Sequence, residues 1–233
     1  MIKEPPLLTI KRYWSRPAKE AVEWLNQVPT GFVVDAMDGR GAMDCQINPL
    51  VEDDESLTNF VGTALTCNCG PGDNLALIAA IVKAQPGDVV VCATDRFEGS
   101  CVTGDLLLAL AKKQGVVGFV TDGLVRDVKG VLEVGLPVFC RGSTPNSPVR
   151  NGPGTVGLDI AVGGVAVASG DAIAADRDGV VIVPQRKLPE TLQRLEQVKA
   201  DEAAAEASLK TTGEGIATQM QELLDSDQIH YVD

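Results

Sequence analysis

The stretch DGLVRDVKG, residues 122–130, follows the apolar run VVGFV (116–120) and sets Asp122, Arg126, Asp127 and Lys129 close together. A carboxylate with its waters suits a hard divalent cation such as Mg²⁺ or Mn²⁺. A guanidinium beside it suits a carboxylate, or an oxygen on which enolate charge develops. Arg126 and Asp127 could therefore hold a metal and an anion together, or form a surface ion pair of small energetic consequence. Twenty-two residues before Arg126, Gly104-Asp105 opens the apolar segment LLLALAKK. The first amides of a helix are unpaired and carry partial positive charge, and glycine lets an anion approach them. A small carboxylate or phosphate could dock on Gly104 to Leu107. Equally, Thr103 or Asp105 could cap an ordinary loop-to-helix junction. GPGDNLAL (70–77) is a further glycine-rich helix entry. It has no Gly-Lys-Ser/Thr and does not match G-x-G-x-x-G, so a nucleotide site is not expected. Asp73 reads there as a turn cap, and Asn74 as a residue that could face a site.

The elements that must position these groups read as α/β. PAKEAVEWLNQV (17–28) has helical spacing, with Pro17 at the first helical position, and Thr30 is placed to cap a short helix GFVVDAM. FVGTALTCN (60–68), DVVVCAT (88–94), VVGFVTDG (116–123) and LPVFCRG (136–142) read as strands. They alternate with helices over 74–84 and 104–115, and with at most a short helix over 125–135. Such alternation predicts parallel crossovers. In open α/β sheets, sites form beyond the carboxyl ends of strands, which is where Arg126-Asp127 falls. From residue 155 the pattern turns to short strands joined by tight turns. Residues 188–211 read as a long helix with a narrow stripe of Leu188, Leu192, Leu195 and Val198, and EGIATQMQELLDS as a last helix. The expected organisation is an N-terminal helical segment (1–29), an α/β core (30–185) and a helical C-terminal arm (186–233).

Composition narrows the function classes. The chain has 233 residues, 45% hydrophobic and 22% charged, which is ordinary globular composition. Twenty basic against thirty-two acidic residues give a net charge of −12. That argues against a nucleic-acid partner and leaves no basic anchor for an anionic membrane. The N-terminus shows no apolar signal segment, and no run is long enough to span a bilayer, so a cytoplasmic protein is expected. Cys45, Cys67, Cys69, Cys92, Cys101 and Cys140 are then read as reduced thiols. Cys67 and Cys69 form C-x-C rather than the C-x-x-C of zinc sites and share one strand face; buried structural thiols are expected, not structural zinc.

Together, Gly104-Asp105-Leu106-Leu107, the Arg126-Asp127 pair and the stretch PVFCRGSTPNSPVRNGPGTV resemble one family. It is that of the regulator of ribonuclease E activity A and the class II pyruvate aldolases that cleave 4-hydroxy-4-methyl-2-oxoglutarate and 4-carboxy-4-hydroxy-2-oxoadipate. The resemblance covers roughly residues 30 to 185. It implies a swivelling β/β/α-type fold, assembled as a homotrimer or homohexamer with sites between subunits. Residue by residue, it implies that Asp127 holds Mg²⁺ and that Asp105 orients a metal-bound water. Arg126 would contact the substrate's oxo and leaving oxygens, and the amides of Gly104 to Leu107 the pyruvyl carboxylate. Asn74 and Arg150 would line the pocket. An acidic residue from a neighbour's C-terminal helix would complete it, with Glu202 the candidate and Glu206 second.

The activity so implied is metal-assisted retro-aldol cleavage of a small 2-oxo acid to pyruvate, with oxaloacetate decarboxylation through the same enolate. An imine mechanism would need a lysine of lowered pKa, and Lys129, the lysine nearest in sequence, sits beside Asp127. The competing class is a non-catalytic regulator that binds a ribonuclease or helicase partner. The long acidic arm and the Arg-Asp pair favour an enzyme.

Overall fold

The computed structural model describes residues 3–51, 53–211 and 214–232. In chain order, β1 (Leu8–Ile10) precedes α1 (Lys19–Glu23), α2 (Thr30–Ala36) and β2 (Asn48–Pro49). The core follows as β3 (Phe60–Asn68), α3 (Leu75–Lys83), β4 (Asp88–Ala93), β5 (Cys101–Thr103) and α4 (Asp105–Lys113). It continues through β6 (Gly118–Thr121), β7 (Leu124–Val125), α5 (Val128–Val134) and β8 (Val138–Cys140). Short strands come next: β9 (Gly154–Val156), β10 (Ile160–Val162), β11 (Val165–Val167), β12 (Ala172–Asp176) and β13 (Gly179–Val183). The helices α6 (Leu188–Thr211) and α7 (Glu214–Leu224) end the chain. Residues 1–192 form one compact unit and 193–233 a second.

The main sheet of the first unit runs β1-β9-β3-β4-β6-β8-β2. Its centre, β3-β4-β6-β8, is parallel as the strand–helix alternation predicts. β3 is long enough to pair twice on its other side. Its first half meets β12 and its last two residues meet β9, both antiparallel. Period-two alternation divides each central strand between two cores. Val90 and Cys92 of β4 face a cluster with Leu77 and Ile81 of α3, Leu108 of α4 and Val131 of α5. Val89, Val91 and Ala93 face the other way, toward Ile160, Val162, Ile173 and Ile182 of the short strands. The result is three layers, with helices on one face of the sheet and β-hairpins on the other, the mixed α/β architecture expected. Each fully buried large side chain, such as Phe119, Phe139, Leu77 or Ile173, contributes about 1.5–3 kcal/mol of burial energy.

Three local expectations are corrected. The first helix does not begin at Pro17: Ala18 is its extended N-cap, and the α-helix ends at Glu23 in a 3₁₀ turn, Trp24–Gln27. Thr30 is not a cap but the first helical residue, and its amide and hydroxyl donate to Asp176 at 2.8 and 2.7 Å. That carboxylate comes from the end of β12, so no local pattern could announce it. Residues 8–10, inside the expected helical segment, form a strand, because β9 offers a parallel edge for Leu8–Ile10. Among the described residues, no helix is long and apolar enough to cross a membrane.

Candidate active site

Beyond the carboxyl ends of the central strands, β5 and β7 pair in parallel as a separate two-stranded ribbon. Arg126 donates its amide to Thr103 O at 3.0 Å, so the ribbon brings the starts of α4 and α5 side by side. The segment after β8 closes over them. Val125 bridges Ser143, and Thr144 donates its amide to Val125 O at 2.9 Å. Further along, Asp73 bridges Val149. One Asp73 oxygen takes the Leu75 amide at 2.7 Å, and the other takes the Asn151 and Gly152 amides at 2.5 and 2.9 Å. This buried carboxylate therefore caps the entry to α3 and also fastens the loop that carries Arg150.

These contacts enclose a cavity of about 590 Å³, lined by Asn74, Cys101, Thr103, Gly104 to Leu107, Arg126, Asp127 and Ser147 to Asn151. That volume is ordinary for a small-molecule site. The structure thus gathers Asn74, Gly104, Asp105, Leu106, Leu107, Arg126, Asp127 and Arg150 around one space. Glu202 and Glu206 lie on α6 in the second unit, both exposed, with Glu206 3.2 Å from Lys210. Asp122 is not part of the site. It is buried, and it accepts from the Thr94 amide and hydroxyl and the Arg96 amide, pinning the loop after β4. Lys129 does not line the cavity, nor does any other lysine among the described residues.

Asp127 stands at the N-cap of α5 in left-handed backbone (φ 58°, ψ 41°). Asp is one of the few side chains that tolerate this conformation, and such residues gather at functional sites. Its Oδ2 accepts from Arg126 Nε at 3.1 Å, while Arg126 Nη1 donates to Ser147 Oγ at 2.6 Å. The guanidinium is held at two points, through Nε and Nη1. A Cβ on Gly104 would fall 2.6 Å from Asp127 Oδ2 and 3.0 Å from Arg126 Cγ. Only glycine lets the α4 entry and the Arg-Asp pair approach this closely.

Gly104 gives α4 no side-chain cap, and Asp105 Oδ1 takes the Leu106 amide at 2.7 Å. One of the four amides expected to meet a carboxylate is therefore already engaged. Asn74 Nδ2 donates to Val102 O at 3.0 Å. Its Oδ1 is buried with no partner among the described residues, an acceptor left for a ligand or water. Burial raises the Cys101 thiol pKa, and the Arg126 charge partly opposes that. The hard oxygen donors here, two carboxylates and an orphaned amide oxygen, fit a cation such as Mg²⁺ better than a thiophilic one.

Sequence reasoning missed Ser147, Cys101, Thr103, Val149 and Asn151. Ser147 was visible only as one of several small polar residues in a loop. Its role arises because the Val125–Ser143 bridge folds that loop back over Arg126.

A mixed α/β fold that sets a glycine-led helix start beside an Arg-Asp pair is the setting in which the family match falls. Residues 30–182 match the RraA-like family, described as Aldolase/RraA, and the chain belongs to it. A Halalkalibacterium halodurans protein, provisionally named a 4-hydroxy-4-methyl-2-oxoglutarate aldolase, is 34% identical over 200 residues, covering 84% of this chain and 92% of its own. The crystal structure of Streptomyces coelicolor RraAS2, described as an unusual member of the RNase ES inhibitor RraA family, superposes with a TM-score of 0.70. It is 29% identical and covers 83% of this chain and 98% of its own. An uncharacterized Pseudomonas syringae protein shares the fold at a TM-score of 0.73 and 24% identity, covering 85% of this chain and 96% of its own.

Proposed function

We propose that this chain is a divalent-metal-dependent pyruvate lyase. Its reaction is the retro-aldol cleavage of a 4-hydroxy-2-oxo diacid such as 4-hydroxy-4-methyl-2-oxoglutarate. The observation that carries the reading is the convergence of Asp105, Arg126 and Asp127 on one cavity that also holds an orphaned amide oxygen, Asn74 Oδ1. The provisional aldolase name of the Halalkalibacterium halodurans relative supports it.

Asp127 would hold Mg²⁺ or Mn²⁺, with Asp105 reaching the ion through water. The ion, when bound, polarises the 2-oxo group and offsets developing negative charge. The protein's own groups do the rest. The open start of α4 and Arg150 bind the substrate carboxylates. Asp105, with Oδ1 spent on Leu106, keeps Oδ2 for a water that takes the 4-hydroxyl proton. As the C3–C4 bond breaks, its electron pair becomes the C2=C3 bond of the enolate, the carbonyl π pair passes to the 2-oxo oxygen, and Arg126 Nη2 would meet that charge. Ser147 and Asp127 fix the guanidinium beforehand, so little reorganisation is needed at the moment of reaction. The proton returns to C3 and completes pyruvate. Oxaloacetate loses CO₂ through the same enolate. The absence of a lysine from the lining, among the described residues, argues against an imine route.

The chain would work as a homotrimer or homohexamer, with a neighbour's Glu202 completing each site. Leu106, 81% exposed, and Val149, 54% exposed, flank the cavity as apolar surface that a neighbour would cover.

The test is pyruvate release from 4-hydroxy-4-methyl-2-oxoglutarate and from oxaloacetate, coupled to lactate dehydrogenase, with Mg²⁺ and with chelator. Metal-dependent release from both supports the lyase. Release from oxaloacetate alone keeps the enolate chemistry and moves the diacid to another 4-hydroxy-2-oxo acid. Turnover of neither by a folded, metal-supplied oligomer would leave the ribonuclease-regulator reading in its place.

A further inference from the structure

Cys67, Cys69 and Cys92 lie outside the cavity and take no part in the reaction above. Cys67 and Cys92 are register partners on the adjacent parallel strands β3 and β4. Cys69 follows β3 directly, and its amide donates to Ala93 O at 3.0 Å, which turns it back beside Cys92. The three Sγ atoms lie within 4.8 Å of one another, and Cys69 and Cys92 Sγ are 3.6 Å apart. All three residues are at most 2% exposed, and every cysteine of the chain is free.

A metal with three sulfur ligands at about 2.3 Å holds those sulfurs about 4 Å apart. With one pair at 3.6 Å and no pair beyond 4.8 Å, the cluster brackets that spacing. Core packing alone asks for small apolar side chains at these positions, not for three sulfurs converging on one point. Zinc prefers four ligands in a closed site. No fourth Cys, His, Asp or Glu joins the group among the described residues. Soft thiolates and a coordination number of three select copper(I).

We propose that Cys67, Cys69 and Cys92 form a buried three-sulfur site for copper(I), built into the sheet behind the start of α3. It is independent of the lyase reading and stands or falls separately.

The test uses the full-length reduced chain under anaerobic conditions, titrated with copper(I) against a chromophoric copper(I) chelator. The chain should withdraw one copper per molecule, and X-ray absorption should show a shell of three sulfurs at roughly 2.3 Å. Copper should also raise the unfolding temperature, because the site exists only in the folded chain. Cys69→Ser and Cys92→Ala should each abolish withdrawal, while Cys45→Ser, which alters the exposed thiol, should leave it intact. Far-UV circular dichroism identifies the variants that fold; Cys92→Ala keeps a small apolar group in the core. Failure of the folded wild type to withdraw copper overturns the proposal. So does withdrawal that survives in a folded Cys69→Ser, Cys92→Ala double variant, or that is lost with Cys45.

Discussion

Asp127 sits in left-handed backbone that Asn adopts as readily as Asp. Asp127→Asn therefore removes the charge and spares the conformation. We expect the melting temperature to hold while metal-dependent pyruvate release falls by more than the ~100-fold that outer-shell partners of a metal command. Arg126 depends on Ser147, a positioning residue. Ser147→Ala should lower kcat about tenfold, the worth of one hydrogen bond to a charged group, and Ser147→Thr should restore most of it. The sequence made the Arg-Asp pair legible because its members are neighbours, and its partner Gly104-Asp105 because a glycine before an apolar helix is a recognisable signal. Ser147 was not legible, because its contact with Arg126 spans 21 residues and depends on how a loop folds. The same limit applied to the thiols. C-x-C foretold two buried sulfurs on one face, but nothing local placed Cys92 beside them. Elsewhere, burial pushes the Cys140 thiol up to about 11. In the unfolded chain this thiol ionises near 9, so between about pH 9 and 11 the folded state binds more protons and stability falls as pH rises. Cys140→Ala should flatten the alkaline limb of a denaturation-against-pH series by about 2–3 kcal/mol.

The starts of α4 and α5 matter more to the site than their lengths. Gly130, in the first turn of α5, lies against Asp105: a Cβ there would collide with the Asp105 carboxylate and come within 2.9 Å of its Cβ. Gly130→Ala should improve helix propensity, yet move Asp105 off its water. The expected result is lower kcat with no loss of helix signal in far-UV circular dichroism. Asp73 joins two elements, accepting three amides from the α3 entry and the 149–152 loop. Asp73→Ala leaves buried amides unpaired and should cost about 2–4 kcal/mol in denaturant titration. It should also raise KM by loosening the loop that carries Arg150. The strand over 60–68 and the helix over 188–211 were legible to the residue, since each has one unbroken pattern. β1 and the Thr30–Asp176 clamp were not. An edge strand of three residues carries too little pattern, and a cap supplied from 146 residues away carries none.

At the scale of the whole molecule, the fold serves two trades in one family, aldol chemistry and ribonuclease regulation, so architecture alone does not select between them. What separates them is whether the cavity stabilises an enolate. Under the proposed function, the acceptor half of the substrate, a neighbour's glutamate and the oligomer would all bear on which diacid is cleaved. None bears on the pyruvate half, which under the proposed function would fall to Gly104 to Leu107, Arg126 and Asp127. The most direct measurement is exchange of the pyruvate methyl protons with D₂O, followed by NMR at neutral pH with Mg²⁺ present. It needs no knowledge of the true substrate. The account predicts exchange well above the solvent rate, lost with chelator, in Asp127→Asn and in Arg126→Ala. Exchange no faster than the protein-free control, from a folded and metal-supplied oligomer, would contradict it.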